Sequence, residues 1–142
     1  MKLLIKTIFL LILLPLIACS IPQGGVPDAV KEAFKKKYPG ENDPDWHMDK
    51  NGNYEAKFKK KGIHYRADFT PQGAWVETET NIKEKDLPEA IKKVIKKRYD
   101  GFKIAEIEKV ESSAKGTFYD VEFKVNGTKQ DVEFNVSGEI LN

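Results

Sequence analysis

Apolar residues recur at intervals of three and four along two stretches of the chain that are copies of one pattern. Residues 26–40 align without gaps on residues 87–101, with seven of fifteen positions identical. The spacing puts the apolar side chains on one stripe and predicts an amphipathic helix over 27–39 and another in the second stretch. A proline near the start and a glycine at the end of each stretch are typical helix boundaries.

Beyond each helix the period changes, because apolar and charged residues begin to alternate. Residues 54–76 match residues 119–141 at a constant offset of 65, and the match retains apolar positions and turn glycines. Such alternation predicts antiparallel strands with one face on a core and one face in water. Residues 45–48 and roughly 103–111 are predicted to add a first strand to each copy.

The repeated pattern predicts an α+β protein built from two tandem units, each about αββββ, with helices packed on antiparallel sheet. We assign residues 26–80 to the first unit, 81–86 to a polar linker and 87–142 to the second unit. Because about sixty residues are marginal for independent folding, the two units are expected to share one apolar core. A repeat that retains turn and core residues, but no catalytic side chain, indicates a binding scaffold and not an enzyme.

The first nineteen residues predict export and a lipid anchor. Lys2 and Lys6 precede an apolar run too short to span a bilayer, which is typical of a signal peptide and is assigned to residues 1–18. The run ends in a Leu-Ile-Ala-Cys sequence that resembles the lipobox of bacterial lipoproteins, in which the cysteine is acylated. Cys19 is the only cysteine in the chain, so an intramolecular disulfide is excluded. An ordinary cleaved secretory signal with a coincidental cysteine is the alternative.

Acylation of Cys19 would tether the protein through a short stalk, residues 19–25. Each buried methylene contributes about 0.8 kcal/mol, so two or three acyl chains hold a protein stably on a membrane. Ser20 follows the cysteine where retention in the inner membrane would favour Asp. By resemblance to lipoprotein sorting rules, we expect a cell-envelope protein anchored in the outer membrane and facing the periplasm.

The net charge expected for the mature protein restricts the classes of partner that it could bind. The whole chain carries +2, but both excess charges are Lys2 and Lys6, which leave with the signal peptide. A neutral mature protein gives no support for nucleic-acid binding, which is typical of basic domains. Lysines crowd the two predicted helices, where they complement the helix dipole and cover apolar flanks. The alternative is a basic face that steers an anionic partner.

The full set of turn and core residues resembles the PepSY-like domains, which are also described as β-lactamase-inhibitor-like proteins. The resemblance covers about residues 26–141 and includes the Pro-Xaa-Ala helix that precedes the strands and recurs downstream. The matching positions are Trp46, Asn51, Gly52, Tyr54, Glu55, Ala56, Phe58, Gly62, Asp68, Phe69, Gly73 and Trp75.

This resemblance implies a β-lactamase-inhibitor-like α+β fold and a protein that binds another protein without catalysis. The β-lactamase inhibitor protein grips an enzyme with its curved sheet and loops, and inhibition is suspected for related propeptide domains. The matching motif is structural, so no inhibitory residue is carried over to a position in this chain. An exported protein partner is expected, and inhibition of a protease or β-lactamase type enzyme is one form that such binding could take.

The sequence predicts no cofactor and no catalytic centre. His47 and His64 could approach each other in one sheet and, with Asp45 or Asp49, form a weak metal site, but surface histidines are more often simply solvated. Asp49 to Glu55 resembles a calcium loop only superficially, because its glycine falls at the fourth position and not at the sixth.

Candidate partner-binding residues come from the aromatic and charged side chains of the first unit. They are Trp75, Trp46, Arg66, His64 and Glu77. Regular alternation would place Trp75 beside Glu77 on a polar face, where large amphipathic rings often anchor interfaces. The alternative is that Trp75 takes the core position of its repeat mate Ile140. Arg66 and His64 are predicted to point outward, whereas Tyr65 points to the core.

Three functional hypotheses follow from these observations. The first is an envelope lipoprotein that binds an exported protein. The second is a structural or sensing lipoprotein that binds a small ligand or a cell-wall component. The third is a metal-binding protein that uses His47 and His64.

Overall fold

The structure is a computed structural model that describes residues 25–142. The predicted signal peptide, the predicted acylation site Cys19 and all but the last residue of the predicted stalk lie outside the described residues. Within residues 25–142, two α-helices and seven strands follow each other in the predicted order, except that the predicted last strand is not formed.

The first half contains one helix and four strands, and the second half contains one helix and three strands. The elements of the first half are α1 (Asp28–Lys37), β1 (Asp45–Met48), β2 (Tyr54–Lys60), β3 (Ile63–Phe69) and β4 (Trp75–Asn81). After a short 3₁₀ turn at Glu84–Asp86 come α2 (Glu89–Arg98), β5 (Lys103–Ser112), β6 (Gly116–Val125) and β7 (Thr128–Asn135). The seven strands form one antiparallel sheet in sequence order.

Each helix begins directly after a proline and buries one narrow stripe. Pro27 precedes α1, and its carbonyl oxygen accepts hydrogen bonds from the amides of Val30 and Lys31, both at 3.1 Å. Val30 and Phe34 are the buried residues of α1, four positions apart as an amphipathic helix requires. Within residues 25–142, neither helix has the length and hydropathy needed to cross a bilayer.

The apolar core consists of two clusters, so the prediction of one shared core is wrong. The first cluster joins α1 to β2 and β3, with Phe34 as its central ring, 5.2 Å from Phe58 between centroids and edge-on to it. Its buried members are Val26, Val30, Phe34, Tyr54, Ala56, Phe58, Ala67 and Phe69. One helix on its own strands is therefore sufficient to exclude water from a small core.

The second cluster has the same construction around α2. In it the ring of Tyr99 stacks on Phe123 with centroids 4.5 Å apart. Its buried members are Leu87, Ile91, Ile95, Ile107, Tyr119, Val121, Phe123, Val132 and Phe134. Aliphatic side chains are therefore more numerous here than in the first cluster, and each cluster contains aromatic rings that bury much apolar area per residue.

Pairing between β4 and β5 joins the two halves into one sheet. The register runs from Glu77 opposite Ser112 to Asn81 opposite Glu108. Because directly paired residues lie on the same face, Thr80 and Lys109 connect the core face of the first half to that of the second. Both helices therefore pack on one face of the sheet and leave the other face open.

The second half departs from the predicted four strands. At the place that corresponds to β4, Ile140 forms only an isolated bridge with Phe134. The offset between the two copies is 61 residues at the helices and 65 at the second strands. The four additional residues lie in the β5–β6 hairpin, which is longer than its counterpart β1–β2. The fourth strand of the second unit is thus reduced to one β-bridge along the edge of β7, where the amide of Leu141 donates to the carbonyl oxygen of Glu133 at 2.9 Å.

Two glycines fix how closely each helix approaches a strand turn. Gly73, in the β3–β4 turn, has φ +83°, and a Cβ there would lie 2.6 Å from the carbonyl oxygen of Ala29. Gly138 has φ +84°, and its Cβ would lie 2.9 Å from the carbonyl oxygen of Ala90. Only glycine tolerates both this backbone conformation and this proximity to the first turn of a helix.

Substituting Gly73 should therefore destabilise the protein more than substituting a glycine with the same backbone and open surroundings. Gly62 has φ +83°, and nothing lies within 4 Å of the point that a Cβ would occupy. Gly62→Ala therefore measures only the cost of holding alanine in this backbone conformation, about 1 to 2 kcal/mol. We expect Gly73→Ala to cost at least about 2 kcal/mol more, because the Cβ meets backbone atoms. Urea unfolding of both variants measures the difference, and equal losses would contradict the close helix–turn contact.

Candidate functional site

The sheet face opposite the helices, which we call the open face, is strongly charged. Strand alternation produces this face, because every second side chain of a strand points away from the helices. Its charged members are Asp45, Glu55, Lys57, Lys59, Arg66, Asp68, Glu77, Glu79, Lys103, Glu106, Glu108, Asp120, Glu122, Lys124, Lys129, Asp131 and Glu133. Carboxylates outnumber cations, so the open face attracts positive charge.

Arg66 is the central cation of the open face. Its guanidinium donates through Nε to Glu79 on the neighbouring strand β4, and its Nη2 lies 2.8 Å from Glu108 Oε2 on β5. One side chain of β3 thus contacts the next two strands and crosses the junction between the halves. The planar guanidinium, with its several donors, suits such a two-carboxylate contact.

Ion pairing and burial have opposite effects on the pKa values of Arg66, Glu79 and Glu108. Burial alone would lower the pKa of Arg66, but the adjacent Glu79 and Glu108 carboxylates outweigh it and raise the pKa. For Glu79, burial raises the pKa although Arg66 pulls it down. Burial likewise raises the pKa of Glu108 to about 7, against the attraction of Arg66. One arginine therefore does not fully compensate two carboxylates that are largely removed from water.

Two further carboxylates on the open face are poorly compensated. Burial, followed by repulsion from Glu55 and Glu79, raises the pKa of Asp68 to about 7. Burial, followed by repulsion from Asp131 and Glu133, raises the pKa of Asp120 to about 6. Among residues 25–142, Oδ1 of Asp68 and Oδ1 of Asp120 are buried oxygens without a hydrogen-bond partner. These carboxylates give the open face a negative potential that the neighbouring cations do not fully neutralise.

Two shallow hollows lie on either side of Arg66. The larger, about 450 Å³, is beside Asn81, the last residue of β4, and it includes His64 and Tyr65 in its wall. The smaller, about 210 Å³, is lined by charged side chains alone, including Asp120 and Asp131. Both hollows are lined by Arg66, Glu106 and Glu108, and these three residues therefore form the centre of the candidate site.

Three of the five sequence-predicted binding residues lie on the open face. Arg66 occupies its centre, and His64 is exposed at the start of β3 beside the larger hollow. Glu77 pairs with Asp68 on one side and with Ser112 on the other, so it lies on the same face farther along β4. Whether any of these residues contacts a partner stays a prediction.

Both tryptophans lie on the helix side, so the placement of Trp75 beside Glu77 on a polar face is wrong. A bulge between β3 and β4 pairs Asp68 with Glu77 but Phe69 with Trp75, which turns the tryptophan to the core face. The ring packs against the first cluster. Trp46 packs there too, 5.4 Å from Phe34 between ring centroids. The core alternative for Trp75 is the one observed.

Trp75 also takes part in a polar contact at the C-terminal end of α1. Its Nε1 donates to Thr78 Oγ1 at 2.9 Å, and the hydroxyl of Tyr38 hydrogen-bonds to the same oxygen. The ammonium of Lys37 lies 3.7 Å from the centroid of the Trp75 ring, a cation–π contact. The ring therefore attaches the end of the helix to the sheet.

The two histidines do not converge on a metal site. His47 pairs with Glu55 and His64 pairs with Lys59, and four residues along β2 separate these partners by roughly 13 Å. His47 instead bonds Asp45, with 2.9 Å between Nε2 and Oδ2. In the part of the chain that the structure describes, no group of three His, Cys, Asp or Glu side chains is arranged to hold a metal ion.

Glu79, Glu108 and Asp120 belong to the site but were missed as candidates from the sequence. Alternation does assign Glu79 and Asp120 to the charged face of their strands. The proximity of Glu108 to Arg66, 42 positions earlier, depends on the β4–β5 register, which no local pattern specifies.

Comparison with known families gives one match over nearly the whole described chain. The model of the family described as "Putative beta-lactamase-inhibitor-like, PepSY-like" matches residues 17–61 and residues 51–142. Among curated proteins, none matches this chain in sequence.

Several solved structures have the same fold. A DUF2874 family protein from Bacteroides uniformis is 26% identical with a TM-score of 0.76, covering 82% of this chain and 86% of that chain. A BLIP-like protein from Bacteroides fragilis is 24% identical with a TM-score of 0.71, covering 82% and 83%. A Bacteroides eggerthii structure described as "putative periplasmic proteins" is 24% identical with a TM-score of 0.76, covering 82% and 86%.

The position of Trp75 predicts a stability effect. Trp75→Ala should lower the free energy of unfolding by about 2 to 3 kcal/mol, because it removes a ring packed on the core and a partner of Thr78. Ile63→Ala is the control, since Ile63 is 43% exposed and should change stability by less than about 1 kcal/mol. Chemical denaturation measures the free energy of unfolding of both variants. A negligible loss for Trp75→Ala would indicate that the ring lies on the surface and not against the core.

The raised pKa of Asp68 predicts that stability falls as pH rises. Between about pH 4 and 7 the folded state retains a proton that the unfolded state releases, so the free energy of unfolding decreases across this window. Asp68→Asn should therefore raise the melting temperature at pH 8 and reduce the difference between pH 5 and pH 8. Asp43→Asn, in an exposed loop, is the control. A lower melting temperature at pH 8 for Asp68→Asn would oppose this assignment.

Proposed function

This chain belongs to the PepSY-like, beta-lactamase-inhibitor-like family, and from that premise we propose that it is a non-catalytic module that binds another protein. The family is described by its likeness to an inhibitor and not by an enzymatic activity. The solved relative from Bacteroides fragilis is likewise described as BLIP-like. Sheet faces left uncovered by helices are suited to recognition of a macromolecule, because they present many side chains on one rigid surface.

The open face is the proposed binding surface, and the unbalanced charge around Arg66 is the observation that carries this proposal. Half-buried carboxylates with pKa values raised to about 6 or 7 gain stability when a cation approaches them. The proposed partner therefore presents lysine or arginine side chains to the open face. Such charge complementarity contributes mainly to specificity and to the rate of association.

The cell envelope is the proposed location. The related Bacteroides eggerthii structure is described as periplasmic, and the sequence predicts a signal peptide followed by an acylated Cys19. We place the protein on the periplasmic side of the outer membrane, tethered by lipid. In this arrangement the partner is itself an exported protein.

Inhibition of an exported enzyme, of the protease or β-lactamase type, is a narrower form of the same proposal. The family description supports it by likeness alone. Purified protein assayed against exported β-lactamases and proteases tests this form separately, since a partner can be bound without being inhibited.

We also propose that the two halves descend from one duplicated unit. The aligned helices and strands support this, as does the matching position of Gly73 against Ala29 and of Gly138 against Ala90. The proposed boundaries remain residues 26–80 and 87–142.

Binding of a small ligand or a cell-wall component is the second candidate function. The larger hollow favours it, because about 450 Å³ beside His64, Tyr65 and Arg66 is enough space for a small polar molecule. Its wide mouth and its charged walls make a protein side chain the better supported occupant. Affinity capture distinguishes the two candidates, since only the first predicts a stoichiometric protein.

Neutralising acids on the open face should weaken partner capture. Glu106→Gln with Asp131→Asn removes two exposed negative charges around the hollows, and we expect roughly tenfold less partner bound from an envelope extract, with a weaker salt dependence. Immobilised protein beginning at Ser20 is the bait, and the captured protein is identified by mass spectrometry.

The matched control changes the same charges on another surface. Glu32→Gln with Asp43→Asn replaces one exposed glutamate of α1 and one exposed aspartate of the loop before β1. Capture by this variant should equal that of the unchanged protein. An equal reduction by both double variants, or capture that is insensitive to salt, would count against the open face as the binding surface.

A further inference from the structure

The two helices carry a large excess of positive charge. They contain nine basic residues and only three acidic ones, whereas residues 25–142 as a whole are balanced. The basic residues are Lys31, Lys35, Lys36, Lys37, Lys92, Lys93, Lys96, Lys97 and Arg98. Because the helices lie on the face opposite the carboxylates, a protein without net charge presents two oppositely charged sides.

Most of these cations are available to an external partner. Lys31 pairs with Asp28 and Lys92 with Glu89 in the same helix, and Lys37 lies over Trp75. The other six form no ion pair with any residue in 25–142, and all are exposed; they are Lys35, Lys36, Lys93, Lys96, Lys97 and Arg98. The helix dipole accounts for cations in the last turn, but it leaves their ammonium donors in solvent.

An exposed aromatic ring adjoins the basic end of α2. Phe102 follows α2 by a few residues and is 37% exposed. It shares a hollow of about 490 Å³ with Lys96 and Tyr99. Basic residues combined with exposed aromatic side chains are typical of surfaces that rest in the headgroup region of a bilayer.

We propose that the outer surface of the helices rests on a bilayer that contains anionic lipid. Anionic headgroups complement the unpaired cations, and the aromatic ring of Phe102 enters the interface. A membrane explains these features together, whereas an acidic protein partner would not require the exposed ring. The open face is then directed away from the membrane.

The position of the N-terminus agrees with this orientation. The described chain begins at Gly25 and enters α1 at Asp28, on the helix side of the sheet. If Cys19 is acylated as the sequence predicts, five residues lie between it and Gly25, and the six Cα–Cα steps reach roughly 20 Å. The helices therefore lie within reach of the membrane that holds the anchor. This step rests on the predicted anchor, but the basic surface does not.

Vesicle binding by protein without its anchor tests the surface directly. A chain beginning at Ser20 lacks Cys19 and retains every described element and both apolar clusters. We expect it to sediment with phosphatidylcholine vesicles that contain phosphatidylglycerol, not with phosphatidylcholine alone, and to dissociate as salt is raised. Lys96→Gln with Lys97→Gln should weaken partitioning at least tenfold, since each cation near an anionic surface contributes roughly fivefold.

The control neutralises two lysines on the opposite side that form no ion pair within residues 25–142. Lys59 and Lys124 are exposed on the open face, so Lys59→Gln with Lys124→Gln should leave vesicle binding unchanged. Three outcomes would overturn the proposal: no binding to anionic vesicles at low salt, equal loss in both double variants, or retention by an acidic protein column without vesicle binding. Glu106→Gln with Asp131→Asn should bind vesicles normally, which separates this surface from the protein-binding face.

Discussion

The ladder between β4 and β5 is the interaction on which the rest of the architecture depends. Each half has its own helix and its own apolar cluster, and within residues 25–142 no buried cluster spans both. Backbone pairing from Glu77–Ser112 to Asn81–Glu108 makes one sheet from two small units. It also puts both helices on one side, since paired residues share a face. The continuous open face, and the contact of Arg66 with Glu108, exist only because this register is held.

The charged face and the apolar face have opposite effects on stability. Burial of Phe34, Phe69, Phe123 and Phe134 favours the folded state through the removal of apolar area from water. Asp68, Asp120 and Glu108 are desolvated without full compensation, and this disfavours it. Unfavourable charge burial of this kind is found where a surface is arranged for binding. The family membership and the charge distribution therefore lead to the same functional proposal.

Periodicity was sufficient to predict both helices, seven of the eight expected strands and the side of the sheet on which most residues lie. Val30, Phe34, Ile91 and Ile95 are buried as their spacing requires. Register was not predictable, because hydrogen bonding between strands leaves no local pattern. The bulge at Phe69 therefore reversed the predicted face of Trp75, and Glu108 was not recognised as a neighbour of Arg66. The shared core was wrongly predicted because alternation specifies which residues are inside but not how the interior is divided.

The sheet order has a consequence for how the chain acquires its structure. Each strand pairs only with the strands next to it in sequence, and the first cluster contains no described residue beyond Trp75. Such a meander has low contact order, so its loops close at little entropic cost and its folding is fast. A chain that emerges N-terminus first can complete its leading half before the trailing half has emerged. When β5 follows, it can form its backbone hydrogen bonds with the exposed edge of a β4 that is already folded.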